Sequence, residues 1–294
     1  MNIGIIGQGF VGSAIREGLK GFYKVSTYDI DKSKCNQTLE WVCTDSDIIF
    51  VCLPTPMRKD GNCDTRILES AIADIDQTCA DKGRSNDRPI LVIKSTIPPG
   101  TTERIGRKYL DRLDGHPNMH ICFSPEFLTE ANSFDDFKRQ SRIIIGCNAF
   151  IDGKYAKKVK QMFRKPFPKI PIIITKWETA EMVKYFTNCF LATKVTFANQ
   201  MYQICLDNNI DYDKVCEYTL YDERIGKSHL AVPGPDGDLG FGGHCFPKDL
   251  AAMIAFGSQN EGDVSFLESV HEYNNKCRRH RDWEQMKGRA VSED

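Results

Sequence analysis

Apolar residues follow two rhythms along this chain. Short, nearly unbroken runs rich in Val and Ile occur at Asn2–Ile6, Lys24–Tyr28, Asp47–Leu53, Ile90–Lys94, His120–Phe123, Arg142–Gly146 and Ile172–Ile174. Runs of this length without polar alternation suit strands buried on both faces, as in parallel sheets. Longer amphipathic stretches lie between most of them. That alternation predicts an α/β fold built on a doubly wound parallel sheet. The pattern stops near residue 175, where Thr175-Lys-Trp-Glu178 has the spacing of a capping box. It is predicted to open one long helix reaching about Leu206, followed only by helices and loops. Two domains are therefore expected, 1–175 and 176–294, with no internal repeats. "DKGRSNDRP", Asp81 to Pro89, is expected to be a polar surface loop. The tail after Arg278, "RHRDWEQMKGRAVSED", is charged and is expected to fray.

Composition narrows the function classes. Of 294 residues, 41% are hydrophobic and 27% charged, and the formal net charge is -1. A balance so near neutral carries no footprint for nucleic acid or an anionic membrane surface. No apolar run approaches the length of a membrane helix. The N-terminus "MNIGIIGQGF" has no basic stretch before its short apolar run, unlike a secretory signal. The twelve cysteines are scattered without a C-x-x-C pair or a Cys/His cluster of zinc spacing. The expectation is a cytoplasmic protein with reduced thiols and no metal.

The first candidate chemistry is "GIIGQGFVG". Gly7-x-Gly9-x-x-Gly12 directly follows the first strand and opens a helix. Gly7 permits a tight turn, Gly9 lets a pyrophosphate approach the backbone, and Gly12 allows close helix–strand packing. Asp29, at the end of the second strand, stands about 20 residues further on, where a carboxylate meets the adenosine ribose. A carboxylate there repels a 2′-phosphate, so NAD is favoured over NADP. This makes residues 1–175 a Rossmann-type NAD-binding domain. The third, fourth and fifth strands run into "VCLPTP", "IKSTIPPG" and "FSPEFLTE". Ligands of open α/β sheets bind beyond the carboxyl ends of strands, which puts Thr55, Thr96, Glu126 and Glu130 on that edge.

Two further features fall in the second half. In the long helix, Lys184 and Asn188 are four apart and share a face with Leu191, Ala192, Val195 and Ala198. A snorkelling lysine is one reading; the other is a desolvated ammonium and an amide directed into a site, able to steady an oxyanion. "GFGGHCFPKD", Gly240 to Asp249, sets Cys245 between three glycines and Pro-Lys-Asp. A buried, inert thiol is one reading of it; a reactive thiol assisted by Lys248 is the other.

Taken together, "GIIGQGFVG", "KSTIPPGTT", "FSPEFLTE", "AEMVKYFTNCFLATK", "DERIG" and "GFGGHCFPKD" make the chain resemble the UDP-glucose/GDP-mannose dehydrogenases. The motifs occur in that family's order and cover most of residues 1–275. The resemblance implies oxidation of the C6 hydroxyl of a nucleotide sugar to a carboxylate with two NAD, with UDP-glucose to UDP-glucuronate the expected reaction. Cys245 is implied as the nucleophile that captures the aldehyde. Lys184 and Asn188 would hold the oxyanion, and Thr96 and Asp249 the hydrolytic water. The segment Glu126, Phe127, Leu128 and Glu130 would serve substrate and water, with Phe241, Gly242, Gly243 and Lys248 against the sugar. Arg224 would meet substrate phosphate, often across a dimer interface. Beside Gly7, Gly9, Gly12 and Asp29, the implied cofactor contacts are Phe10, Val11, Lys34, Thr55, Pro56, Thr96 and Lys248.

The chain departs from the family pattern in several places. Only about twenty residues separate Asp29 from "VCLPTP", fewer than is typical. His244 precedes the cysteine where Ser is common. The sequence stops soon after "ESVHEYNNKCRR", where typical members continue into a second α/β domain, so a short form without that nucleotide-binding domain is expected. The loop "RIGKSHLAVPGPDGDLGFGGHC" is longer than usual, and is expected either to supply diphosphate and base contacts with the help of a partner subunit or to form a lid within one subunit. The long helix, through Met182, Val183, Phe186, Phe190 and Phe197, is the expected seam of a homodimer. Two other readings stay open: a two-electron hydroxyacid dehydrogenase of the 6-phosphogluconate type, and an inactive protein that binds NAD or a nucleotide sugar.

Overall fold

A computed structural model describes residues 1–81, 88–110, 117–148 and 153–293. Packing divides them into two compact units, and neither is a single stretch of chain. The first comprises Met1–Thr55 and Thr65–Lys184, the second Pro56–Asp64 and Tyr185–Asp294. The polar segment expected at Asp81–Pro89 lies mostly outside the described residues.

The first unit is an α/β sandwich. Its strands are β1 (Asn2–Ile6), β2 (Lys24–Tyr28), β3 (Ile48–Val51), β4 (Ile90–Ile93), β5 (His120–Phe123), β6 (Ile143–Gly146) and β7 (Ile172–Thr175). They form one sheet in the order β2-β1-β3-β4-β5-β6-β7. The order reverses between β1 and β3, which creates the crevice where doubly wound sheets take their ligands. One feature differs from the expected all-parallel sheet. β5 and β6 pair antiparallel, through Phe123 and Gly146, so β6 and β7 run against the other five. The helices are α1 (Phe10–Leu19), α2 (Leu39–Asp45), α3 (Arg66–Asp81), α4 (Thr101–Leu110), α5 (Ser133–Arg139) and α6 (Gly153–Arg164).

The strand sequences explain the layers. Alternate side chains point to opposite faces, and here both faces are covered. Ile3, Ile5, Ile48, Phe50, Ile90 and Val92 pack on one side with α1, α5 and α6. Ile6, Ile49, Val51, Leu91, Ile93 and Phe123 pack on the other with α2, α3 and α4. Each such side chain contributes about 1.5–3 kcal/mol by leaving water. No polar alternation could survive in strands with two buried faces, hence the continuous runs.

The long helix is α7 (Trp177–Asp207). Thr175 closes β7 rather than capping it: Lys176 stands before the first turn, and its carbonyl accepts Ala180 N–H. The second unit adds α8 (Tyr212–Thr219), α9 (Phe246–Gln259) and α10 (Ser265–Cys277). Cys189, Ala192, Phe241, Leu250 and Val270 form one of its cores, and Ala198, Cys205, Tyr212 and Val232 another. The charged tail does not fray. A 3-10 turn at Asp282–Gln285 buries Trp283, and Ala290 is fully enclosed. Met57 N–H donates to Ala290 O at 2.8 Å and Ser292 N–H returns to Met57 O at 2.8 Å, so the tail is laced to the 56–64 segment. Among the described residues no helix is long and apolar enough to cross a membrane, and no cluster of three metal-ligating side chains occurs.

Candidate active site

In the first unit the glycine turn is built as the spacing requires. Gly7 has φ +88, and a Cβ there would meet Cys52 O at 2.3 Å. A Cβ on Gly12 would meet Gly7 O at 1.9 Å, so α1 lies against the turn. Gly9 precedes the first turn of α1, and a Cβ built on it meets nothing within 4 Å. Open space beside a helix N-terminus is a cradle for an anionic group. Asp29 reaches this turn: its carboxylate accepts Gln8 N–H at 2.5 Å and Asp31 N–H at 2.9 Å. A dinucleotide with its pyrophosphate at Gly9 and its ribose near Asp29 fits these residues. Phe10 and Val11 open α1 and are half-buried, whereas Lys34 is exposed and pairs with Asp31 at 3.4 Å.

The carboxyl edge of the sheet is also in place. Thr55 is buried and donates to Thr96 O at 2.6 Å. Glu126 is buried after β5, with its carboxylate accepting Leu128 N–H at 2.5 Å and the Lys184 ammonium at 3.0 Å. Both side chains of this ion pair are nearly inaccessible, at 4% and 7%. Phe127 lies under the Arg142 guanidinium at 4.0 Å, and Lys184 sits 5.6 Å from the same ring. Leu128 is buried; Glu130 is exposed. A pocket of about 270 Å³ includes Val11, Glu126, Phe127 and Arg142 in its lining.

Lys94, treated above only as the end of a strand, lines the same pocket. It is buried and donates to Pro125 O at 2.9 Å and to Ser124 Oγ at 3.4 Å. Burial lowers its pKa to about 8, while Cys52 and Glu126 pull it the other way. A charged residue closing an otherwise apolar strand was the signal that could have found it.

The second unit holds the thiol. Cys245 is half-buried at the N-cap position of α9, where unpaired amides and the helix dipole favour a negative charge. His244 Nε2 is 3.7 Å from its sulfur. Lys248 and Asp249 follow in the first turn and are buried. Asp249 takes Lys248 on one carboxylate oxygen and Asn188 Nδ2, at 2.6 Å, on the other. Burial opposes a charge on Lys248, but Asp249, Cys63 and Cys245 raise its pKa well above the ordinary range. A protonated lysine here favours the Cys245 thiolate. Pro56, expected at the cofactor, belongs to this unit and is buried.

The three glycines before the cysteine are not alike. Gly240 has φ +68, and a Cβ would meet Asn274 Oδ1 at 2.3 Å; at Gly242 it would meet Arg278 Nη2 at 2.3 Å. Only Gly243, with φ +70, faces open space. Phe241 is buried against Phe246. Arg224 stands apart on an exposed loop, paired with Asp222 at 2.5 Å. In that loop Lys194 holds Gly226 O, and Tyr212 holds Leu230 O at 2.8 Å.

Sequence and structure comparisons bear on the fold and the family. The profile of the UDP-glucose/GDP-mannose dehydrogenase NAD binding domain matches residues 34–165, and that of the family's central domain residues 178–276. NAD is thus the dinucleotide of the first unit, although the match begins beyond the glycine turn. An uncharacterized protein of Methanocaldococcus jannaschii is 34% identical over 86% of this chain and 30% of its own length. The UDP-glucose 6-dehydrogenase YwqF of Bacillus subtilis is 31% identical over 94% of this chain and 66% of its own length. A UDP-glucose dehydrogenase structure from Pyrobaculum islandicum superposes with a TM-score of 0.83 at 28% identity, over 94% of this chain and 68% of that one. The chain therefore spans under two thirds of the length of these two curated relatives. With both domain profiles matched in order, the chain belongs to the UDP-glucose/GDP-mannose dehydrogenase family.

Proposed function

We propose that this chain oxidises a nucleotide sugar at C6, from alcohol to carboxylate, through a covalent intermediate on Cys245. UDP-glucose to UDP-glucuronate is the reading within that class, supported by relatives such as YwqF that carry that activity in their name. The observation that carries it is the thiol at the start of α9 with buried Lys248 and Asp249 in the first turn.

NAD, when bound, accepts a hydride in each of the two oxidations. Gly9 and the N-terminus of α1 receive its pyrophosphate, and Asp29 its ribose hydroxyls. Thr55, Thr96 and Glu126 line the edge of the sheet where the reacting end belongs. The Cys245 thiolate adds to the aldehyde carbon; a carbon–sulfur bond forms and the carbonyl oxygen takes a proton, giving a thiohemiacetal. Loss of hydride from that carbon, with the hydroxyl proton passing to water, leaves a thioester. Water then adds, the carbon–sulfur bond breaks, and carboxylate and thiol are released. Lys184 and Asn188 steady the oxyanion at each addition. Asp249, with Thr96, orients the water and takes its proton, and Glu130 serves the same segment. Phe241, Gly242, Gly243, Phe127, Leu128 and Lys248 shape the sugar subsite, and Arg224 meets phosphate.

The assembly that goes with this reading is a homodimer. Phe186, Phe190 and Phe197 of α7 are 70%, 60% and 59% exposed, and the first two rings stack at 6.4 Å. Such a row of aromatics on one helix suits a partner helix. In mixed dimers, an Arg224→Ala chain paired with a Cys245→Ser chain regains activity if Arg224 acts across the seam. The reaction itself is tested by NADH formed per sugar consumed over a panel of UDP- and GDP-sugars. Two per sugar is expected. One indicates a two-electron dehydrogenase, and none a binding protein.

A further inference from the structure

The loop that delivers Cys245 is held by side chains from three other segments. Gly240 N–H donates to Asn199 Oδ1 of α7 at 2.9 Å. Asn274 of α10 takes Phe241 twice: its Oδ1 accepts Phe241 N–H at 2.7 Å, and its Nδ2 donates to Phe241 O at 3.0 Å. Gly243 N–H, two residues before the thiol, donates to Asp282 Oδ2 at 3.0 Å. The other oxygen of Asp282 accepts Arg278 Nη2 at 3.1 Å. That guanidinium is 3% exposed, and each of its three nitrogens is engaged. It also donates to Asp236 at 2.6 Å, to His280 O at 2.8 Å and to Leu239 O at 3.4 Å. His280 N–H in turn donates to Asp238 Oδ2 at 2.9 Å.

The order of these contacts suggests a division of labour. Asn199 and Asn274 fix the start of the loop. Arg278 has its fork tied to the 236–239 turn and to the backbone after α10, so it cannot swing. It presents Asp282 to Gly243. The Arg278–Asp282 pair lies against the α-carbon of Gly242, where a Cβ would come within 2.3 Å of both. That contact gives position 242 a reason to be glycine that involves no ligand. With Gly243 held, the chain enters α9 with the sulfur at the helix N-terminus.

We propose that Arg278 and Asp282 are positioning residues for Cys245, acting as a latch that keeps the thiol at the N-terminus of α9. Neither touches the sulfur. The inference rests on the proposed function for its catalytic meaning, but its physical content is the reactivity of the thiol. A thiolate at a helix N-terminus is stabilised by that placement, so a slack loop must make it harder to ionise. An acceptor at position 282 is what Gly243 needs; the charge there is what Arg278 needs.

The test is site-resolved alkylation of Cys245 by iodoacetamide, read by peptide mass spectrometry across pH. Wild type, Asp282→Ala, Asp282→Asn and Arg278→Lys are compared. In Asp282→Ala the pH midpoint for Cys245 should rise by at least about half a unit, with half-buried Cys35 of the other unit unchanged. Asp282→Asn should recover most of the shift, because its amide oxygen still accepts Gly243 N–H. In turnover, kcat should fall at least about tenfold in Asp282→Ala while KM for NAD stays within about twofold. A Cys245 midpoint equal to wild type in Asp282→Ala overturns the proposal, as does a shift shared by Cys35. If wild type proves inactive on every sugar, the proposed function fails, yet the alkylation midpoint still decides on the latch. Should Arg278→Lys not fold, the two Asp282 variants suffice.

Discussion

Asn188 donates its side-chain amide to Asp249 across 2.6 Å, joining α7 to the first turn of α9 within one buried cluster. Asp249 is 1% exposed, and its second oxygen is taken by Lys248. Removing the donor and removing the charge should therefore have different consequences. Asn188→Ala leaves one oxygen of a buried carboxylate without its amide and should destabilise the chain by about 1–3 kcal/mol. Asp249→Asn strands a buried ammonium and should cost more, about 3–5 kcal/mol. Urea unfolding at neutral pH measures both, and equal losses would mean that Lys248 does not depend on Asp249 for its charge.

Cys245→Ser should abolish complete turnover while leaving NAD affinity nearly unchanged. In the proposed mechanism the thiol is needed for the covalent stage, whereas the residues proposed to meet the dinucleotide, Gly7, Gly9, Gly12 and Asp29, belong to the other unit. Steady-state NADH production together with NAD titration checks this. Wild-type rates from the serine variant would remove the thioester mechanism.

NAD should be preferred over NADP by at least about tenfold in kcat/KM. Asp29 is fixed by two backbone amides and cannot turn away from a 2′-phosphate; an unpaired carboxylate facing that group costs more than about 1.4 kcal/mol. Equal values for the two cofactors would place Asp29 away from the ribose.

Stability should fall as pH rises through neutrality because of Glu181. Its buried carboxyl accepts Gly100 N–H at 2.7 Å and Thr102 N–H at 2.8 Å. Burial raises its pKa to about 7 from an ordinary 4.5, against the hydrogen bonds from Thr102 and Gly100. Between those values the folded chain holds a proton that the unfolded chain has released. The contribution is complete below about 4.5 and is lost as pH rises through about 7, by no more than about 3 kcal/mol. Glu181→Gln should flatten the slope of unfolding free energy between pH 5 and 7. An identical slope in both proteins would mean that the carboxylate stays ionised throughout.

Phe186→Glu with Phe190→Glu should convert a dimer to a monomer in sedimentation without lowering the melting temperature by more than a few degrees. Both rings are largely exposed, so the chain's own core does not use them. A wild-type chain that sediments as a monomer would sink the shared-seam reading at once.

What the sequence made legible follows from how local each signal is. The strands could be read because burial on two faces excludes polar residues from them. The glycine turn could be read because its signal is a fixed spacing inside one short segment, with Gly12 packed on Gly7 O, although Gly7 also answers to Cys52 O far along the chain. The reversed direction of β6 could not: no residue in Ile143–Gly146 encodes whether its neighbour runs with it or against it. Thr175 matched a capping pattern but was claimed by the pairing of β7 with β6. The hold on the tail could not be read either, because it rests on buried Trp283 and Ala290, on backbone bonds to Met57 and on Asp282 meeting Arg278. Arg278 finds Asp236 forty-two residues earlier, and no spacing rule connects them. Lys94 was passed over for a related reason, since Pro125 O is thirty-one residues away.

The short segment Pro56–Asp64 lies between β3 and α3 in sequence yet packs with the second unit. Its hydrogen bond from Met57 to Ala290 closes a span of 233 residues. Contacts of such sequence separation form late, because the loop they close is expensive in chain entropy. On a ribosome this segment emerges long before its partner exists, and must wait while the sheet around it is assembled. The second unit is therefore expected to complete folding only after Ala290 has been made and has reached Met57. Amide exchange at Met57 during refolding should be protected in step with Ala290, and behind the strands on either side of it.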